Sequence, residues 1–272
     1  MRKLPLPLDK PLIMGILNVT EDSFYDGGLY ATLERAIARA KEMIEEGADI
    51  IDVGGESTRP FSKRVEEEEE LKRTIPVIRK IREFSDIPIS IDTYKSKVAE
   101  EAIRAGADII NDISGLSFDK DMAKVASEFD VPIIIMHIKG RPEDMQVAPY
   151  YENVISEIKD YFRERLEYAC NEGIKEENVI IDPGIGFGKR VEDNLKILKN
   201  LHEFKELGRP LLIGTSMKTF IGVVTNSPLE ERLPGTLATV AISIWNGADI
   251  VRVHKVKETK KVVDLVYAIK RS

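Results

Sequence analysis

Arg252 and His254 alternate along a short apolar run near the end of the chain, so both side chains project toward the same side of an extended strand. A guanidinium fork suits phosphate oxygens, and an imidazole donates a hydrogen bond whether neutral or charged, so the pair reads as an anion clamp. Other apolar runs end just as abruptly, in Asn18, Asp52, Asp92, Asn111, His137, Asp182 and Thr215. Any one of these could be a turn or helix-cap residue, since Asp and Asn are favoured there. A carboxylate or amide at strand end after strand end is a costly way to make turns beside a core, so together they point to one polar pocket.

Three further segments could take part. Lys218 and Thr219 follow Gly-Thr-Ser-Met near an expected helix start, where free N–H groups and the helix dipole favour an anion. The glycines of DPGIGFGK lack the spacing and the terminal Lys-Ser/Thr of a phosphate-cradling P-loop, and they are expected to form a turn that places Phe187 over the pocket. The GESTRP stretch, with Ser57, Thr58, Arg59 and Pro60 after a Gly pair, has the composition of a loop that covers a site, or of an ordinary strand-to-helix turn with a Ser/Thr cap. The acidic run from Glu66 to Glu70 reads as mostly a solvated helix face.

These residues need a scaffold that brings many strand ends together. The strand candidates are Leu12–Leu17, Asp49–Val53, Pro88–Ile91, Ile109–Ile113, Val131–Met136, Val179–Ile181, Pro210–Ile213 and Ile250–Val253, each followed by a longer stretch of helical periodicity. Strands apolar on both faces belong in a parallel sheet covered by helices, connected by right-handed crossovers. EEGADIIDVGG, IRAGADIINDIS and WNGADIVRVH repeat one junction, in which Gly47, Gly106 and Gly247 end a helix and Ala-Asp-Ile enters a strand. The repetition predicts a (β/α)8 barrel of class α/β, with a doubly wound open sheet as the competing architecture. In a barrel the polar strand ends share one mouth, the face where such folds carry their active sites.

The bulk numbers bound the function. A chain of 272 residues with 43% hydrophobic content suits one barrel domain, expected to span residues 1–272. A formal charge of −7 argues against nucleic-acid binding, which needs a dense basic stripe. The single cysteine, Cys170, cannot form an internal disulfide, and no Cys/His cluster has zinc-site spacing, as expected for a reducing cytosol. Residues 1–11 hold no long apolar run, so neither a signal peptide nor a membrane anchor is expected, and the reading is a soluble cytoplasmic protein.

The ordered motifs IMGILNVTEDSFYDGG, IIDVGGESTRP, PISIDT, INDISG, IIIMH, IIDPGIGFGK, GTSMKTFIG and VRVHKV together resemble the dihydropteroate synthase family over nearly the whole chain. The resemblance implies transfer of the dihydropterin-methylene unit, pterin ring included, from diphosphate to the nitrogen of p-aminobenzoate in folate biosynthesis. Asp92, Asn111 and Asp182 would then read the pterin edge, helped by Lys218, with Ile113, Met136 and Gly214 around the ring. Acceptor-only carboxylates and a two-way amide suit the donors and acceptors of that edge. Asn18, Arg59, Arg252 and His254 would hold the diphosphate, and Asn18 would be the Mg2+ residue, since that ion takes few protein oxygens and keeps several waters. Phe24, Thr58, Pro60, Phe187, Lys218 and Thr219 would receive p-aminobenzoate. The catalytic set would be Asp92, Asp182, Lys218, Arg252, His254 and Arg59. The family is commonly homodimeric, and no nucleic-acid or membrane partner is implied.

Three positions depart from the family's usual pattern: Glu21 stands where Pro is common, Phe61 where Gly usually follows Thr-Arg-Pro, and Met217 where an Arg is usual. Two rivals remain at this level. A corrinoid-linked methyltransferase shares the acidic and amide pocket residues but would bind methyl-tetrahydrofolate, and GESTRP and Lys218-Thr219 argue against it. A pterin carrier without chemistry is opposed by the intact Asp92, Asp182, Lys218 and Arg252.

Overall fold

In a computed structural model of the chain, residues 10–20 and 28–272 are described. The strands are β1 (Leu12–Asn18), β2 (Ile50–Gly54), β3 (Ile89–Asp92), β4 (Ile109–Asp112), β5 (Ile133–Met136), β6 (Val179–Asp182), β7 (Leu212–Ile213) and β8 (Ile250–Val253). They alternate with helices α1 (Gly28–Glu45), α2 (Glu67–Phe84), α3 (Ser96–Ala105), α4 (Met122–Phe129), α5 (Val154–Asn171) and α6 (Val191–Lys199), then α7 (Thr219–Thr225), α8 (Leu233–Trp245) and α9 (Val256–Arg271). Every pairing is parallel, and the hydrogen-bonded order runs β6-β5-β4-β3-β2-β1-β8-β7. A parallel bridge between Ile181 and Leu211, with Ile181 N–H donating to Pro210 C=O at 3.0 Å, joins the two ends. Sequential neighbours that close on themselves make a (β/α)8 barrel and exclude the open doubly wound sheet.

β7 is shorter than the expected Pro210–Ile213 because Pro210 has no N–H to give and Leu211 N–H is taken by the Asp249 carboxylate at 2.8 Å. β4 ends at Asp112, one residue before the expected Ile113, where the Asp112 carboxylate accepts the N–H groups of Ser114 and Leu116 and turns the chain.

The Gly-Ala-Asp-Ile junction has a physical reason. Gly47, Gly106 and Gly247 take φ of 96°, 118° and 105°, the left-handed helix stop. The aspartate that follows then caps a neighbouring strand: Asp49 accepts from Ile13 N, Asp108 from Ile89 N and Asp249 from Leu211 N.

The period of two along each strand sorts the side chains. Ile13, Leu17, Ile51, Val53, Ile89, Ile91, Ile110, Ile133, Ile135, Val179, Ile181, Val251 and Val253 face outward into the core shared with the helices. Leu12, Met14, Ile50, Ile109, Ile134, Ile180, Leu212 and Ile250 face inward and plug the barrel below its mouth. Continuing the inward register by two residues reaches Asp52, Asp92, Asn111, Met136, Asp182, Gly214 and Arg252. Going on to the last inward positions adds Asn18, Ile113 and His254. The polar residues thus sit on an apolar floor, which excludes water from below and strengthens their mutual electrostatics. No helix among the described residues is long and apolar enough to cross a membrane.

Candidate active site

Arg252 is the centre of the mouth. Its Nε donates to Asp52 Oδ2 at 2.6 Å and its Nη2 donates to Asp92 Oδ2, so β8 is tied across the barrel to β2 and β3. Asn111 Nδ2 also donates to Asp52 Oδ2, at 3.3 Å. The remaining oxygens, Asp52 Oδ1 and Asp92 Oδ1, are buried and accept no hydrogen bond from the described residues. Burial raises the pKa of Asp92 while Arg252 pulls it down, and burial likewise raises Asp182 against the pull of Lys218. Asp182 Oδ1 is fixed by the N–H of Gly184 at 2.8 Å. The site therefore presents desolvated, acceptor-rich carboxylates, two held by Arg252 and one by a backbone N–H, as suits a ligand edge rich in N–H donors.

Asn18 lies on this rim. A Cβ on Gly54 would meet Asp92 Oδ2 at 3.6 Å and Asn18 Oδ1 at 3.7 Å, so the glycine leaves β1 and β3 side chains close together above β2. Among the described residues no three His, Cys, Asp or Glu side chains form a metal-binding group. The donors fit a magnesium ion that takes one amide oxygen from the protein, its remaining places going to phosphate oxygens and water.

Lys218 approaches from the opposite rim as the residue preceding α7, with the exposed Thr219 first in that helix. Its ammonium lies 4.6 Å from the centre of the Phe187 ring and donates to Ile185 C=O. Burial pushes it down to about 8, against the attraction of Asp182. Phe187 packs with Tyr94, Ile113, Met136 and Met145 into an apolar wall. The turn that places it needs glycine: a Cβ on Gly184 (φ 68°) would lie 2.0 Å from His137 O, and one on Gly188 (φ 62°) would lie 2.2 Å from Lys139 O.

His254 shares a 2.9 Å hydrogen bond with Ser216 through Nδ1, while the same Ser216 oxygen accepts His254 N–H. In the tautomer that accepts the serine hydroxyl at Nδ1, the imidazole proton is on Nε2, where it can donate to an anion. Burial, with Arg252 and Arg59 nearby, pushes His254 down to about 4, so it is neutral at physiological pH.

His137 does not join this group. Its register points it outward, where its Nδ1 meets Lys189 Nζ at 2.9 Å and its ring packs edge-on against Tyr161. Thr215 is also structural, accepting the Thr239 hydroxyl at 2.9 Å. Glu66, Glu67 and Glu68 of the acidic run are exposed, as a mostly solvated face requires, but Glu70 departs from that reading: it is 1% exposed and bonded to Lys95. Asp52 has a part that the sequence reading did not give it, as the anchor of Arg252.

In the GESTRP loop, Thr58 is half-buried and Arg59 and Pro60 are exposed. The loop leans on the β5–α5 connection through Phe61 N–H to Pro142 C=O at 2.9 Å. Phe61 has φ 64°, a left-handed backbone that explains why glycine is usual here, and its ring is 68% exposed. Met217 is also left-handed, at φ 60°, with its N–H held by Thr236 Oγ1 at 3.0 Å and its carbonyl by Arg232 at 3.1 Å. Phe24 and Glu21 lie outside the described residues.

Comparison with known proteins decides the family. The pterin binding enzyme family model matches residues 14–254. A dihydropteroate synthase of Clostridium beijerinckii is 51% identical over 264 residues, covering 97% of this chain and 96% of that one. The chain belongs to the dihydropteroate synthases. Among solved dihydropteroate synthases, that of Yersinia pestis in complex with a sulfonamide drug superposes with a TM-score of 0.94 at 40% identity, covering 100% of this chain and 98% of that one. That of Clostridium difficile, determined in the presence of pteroic acid, gives 0.92 at 47% identity, covering 97% and 98%. The enzyme is a transferase of folate biosynthesis.

Proposed function

We propose that this mouth condenses 6-hydroxymethyl-7,8-dihydropterin diphosphate with p-aminobenzoate by an SN1-like alkyl transfer. The methylene C–O bond breaks, the diphosphate leaves with the electron pair, the arylamine nitrogen attacks the delocalised cation and then loses its proton. The observation that supports this reading is the inward register of Asp52, Asp92, Asn111, Asp182 and Arg252 above an apolar floor, with Asp92 Oδ1 buried and unpartnered among the described residues.

In this reading Asp92, Asn111, Asp182 and Lys218 read the pterin edge, with Ile113, Met136 and Gly214 shaping the cavity around the ring. In their ionised forms Asp92 and Asp182 favour the cationic ring. Arg252, His254 and Arg59 receive the departing negative charge, an electrostatic role that works best in a preorganised, water-poor site. Asn18 would hold a Mg2+ ion, which when bound supplies further neutralisation of the diphosphate. Phe24, Thr58, Pro60, Phe187, Lys218 and Thr219 receive the aminobenzoate and exclude water that would capture the cation. A weakly basic aniline attacks as the free amine, so no nucleophilic side chain is required.

Dihydropteroate and diphosphate are expected to appear together when p-aminobenzoate is added to the enzyme, the dihydropterin diphosphate and Mg2+. In melting experiments p-aminobenzoate should stabilise the protein when diphosphate is also present and not alone. Stabilisation by methyl-tetrahydrofolate, or by pterin with no product formed, would replace this reading with a methyltransferase or a carrier.

The whole chain, residues 1–272, is proposed as one cytoplasmic barrel domain that acts as a homodimer. Support for the dimer comes from Val223, Val224, Trp245, Leu265 and Ile269, large apolar side chains left exposed on α7, α8 and α9. Trp245→Glu should convert a dimer to a monomer in sedimentation, and a wild-type chain that sediments as a monomer at micromolar concentration would remove the dimer from the proposal.

A further inference from the structure

Beneath the loop between β2 and α2 lies a buried ionic group that the reaction does not use. Lys95, three residues beyond Asp92, is 4% exposed. Its ammonium donates to Glu56 Oε2 at 2.5 Å, to Val65 C=O at 2.7 Å and to the Glu70 carboxylate. Glu56 is fixed twice more, by the Tyr94 hydroxyl on Oε1 at 2.6 Å and by Val65 N–H on Oε2 at 3.1 Å. Two carboxylates and one ammonium are thus removed from water together, and burial raises the pKa of Glu70 against the pull of Lys95.

Such a group is a poor source of stability, because desolvation offsets most of the attraction and apolar residues of the same volume serve as well or better. What it supplies is geometry. Glu56 begins the loop and Val65 ends it, Glu70 lies in the first turns of α2, and Lys95 belongs to the connection that leaves Asp92. One ammonium therefore gathers both feet of residues 57–64 and ties them to the strand end carrying a pterin carboxylate. The tip, with the half-buried Thr58 and exposed Arg59, has only lighter ties: Phe61 N–H to Pro142 C=O at 2.9 Å, and Ser62 to Ser57 C=O and Arg59 C=O at 2.5 and 3.1 Å.

We infer that Lys95, with Glu56 and Glu70, is a positioning device that staples the feet of the GESTRP loop in register with Asp92, so that the arylamine subsite closes in line with the pterin subsite. This rests on the proposed roles of Thr58 and Asp92. Removing the ammonium alone would strand two buried carboxylates and risks an unfolded chain. The test therefore uses Glu56→Gln alone and a charge-free triple variant, Lys95→Met with Glu56→Gln and Glu70→Gln.

Three readouts separate positioning from general damage. Arg59, Lys63 and Arg64 are exposed, so trypsin reports the loop directly, and cleavage at these sites is expected to be at least tenfold faster in the triple variant and faster in Glu56→Gln. Affinity for 6-hydroxymethyl-7,8-dihydropterin, which lacks the diphosphate, should stay within about threefold of wild type, while kcat/KM for p-aminobenzoate falls at least tenfold. Unchanged trypsin cleavage and unchanged kinetics in a folded variant would overturn the inference, as would a loss of pterin affinity equal to the loss for p-aminobenzoate. If the triple variant does not fold, Glu56→Gln decides by the same readouts. If the wild type makes no dihydropteroate, the functional reading fails by itself, and the trypsin result still decides whether the staple holds the loop.

Discussion

Arg252→Ala is expected to remove productive diphosphate binding and also to destabilise the fold by about 3–5 kcal/mol, the usual cost of leaving a buried charge without its partner. Both losses follow from one geometry, in which Arg252 is held by Asp52 and Asp92 while its charge faces the mouth. The stability deficit carries a pH signature. Burial already raises Asp92 above its ordinary value with Arg252 present, so losing the guanidinium raises it further. A carboxylate whose folded pKa lies above its unfolded one destabilises the fold as pH rises through that interval, since the folded chain then binds more protons than the unfolded. The deficit of Arg252→Ala relative to wild type should therefore be larger in urea unfolding at pH 8 than at pH 5. Adding Asp52→Asn should restore part of the stability and none of the turnover. A variant as stable as wild type at pH 8, or one with an unchanged KM for the dihydropterin diphosphate, would contradict this account.

The apolar runs and the Gly-Ala-Asp-Ile junction made the barrel legible, because both reflect local rules: strands buried on two faces, and helices that stop on a left-handed residue. The polar strand ends were legible as a group for the same reason. What sequence alone could not settle was which face each one takes. His137 and Asp182 both follow short apolar runs rich in Ile, yet the inward register selects Asp182 and turns His137 out toward Lys189. A shift of one residue in a strand boundary reverses such an assignment.

Asp52 was visible as a carboxylate, but its function is to anchor Arg252, 200 positions later in the chain, and no local pattern reveals that pairing. Glu70 could have been found. It lies four, seven and eight residues before Thr74, Val77 and Ile78, all buried on the inner face of α2, so helical period separates it from the other glutamates of its run. Its partner Lys95 comes from another unit, and its burial emerges once β3 and α2 are packed together.

Lys218→Ala should show the opposite relation between stability and activity. Burial lowers the Lys218 pKa from 10.5 to about 8, a shift that corresponds to a penalty on the order of 3 kcal/mol for keeping the ammonium charged in the folded protein. A lysine depressed in this way binds fewer protons folded than unfolded between those two values, so the fold gains stability as pH rises through that window. Alanine removes the penalty together with the contacts to Phe187 and Ile185, and the variant should melt close to wild type at pH 7. Turnover should nonetheless fall by about a thousandfold, the scale of losing a preorganised charge from a desolvated site. In the wild type kcat/KM should decline on the alkaline side as the ammonium is lost near pH 8. Lys218→Arg, which cannot lose its proton, should flatten that decline while remaining far below wild-type activity, because a planar fork does not reproduce a point charge on Phe187. An alkaline limb that persists unchanged in Lys218→Arg would assign the titration to another group, and near-normal turnover in Lys218→Ala would remove Lys218 from the catalytic set. A residue that is costly to the fold and indispensable to the reaction is what an electrostatic active site requires, since the desolvation that penalises the free ammonium is the same desolvation that makes it effective toward a bound ligand.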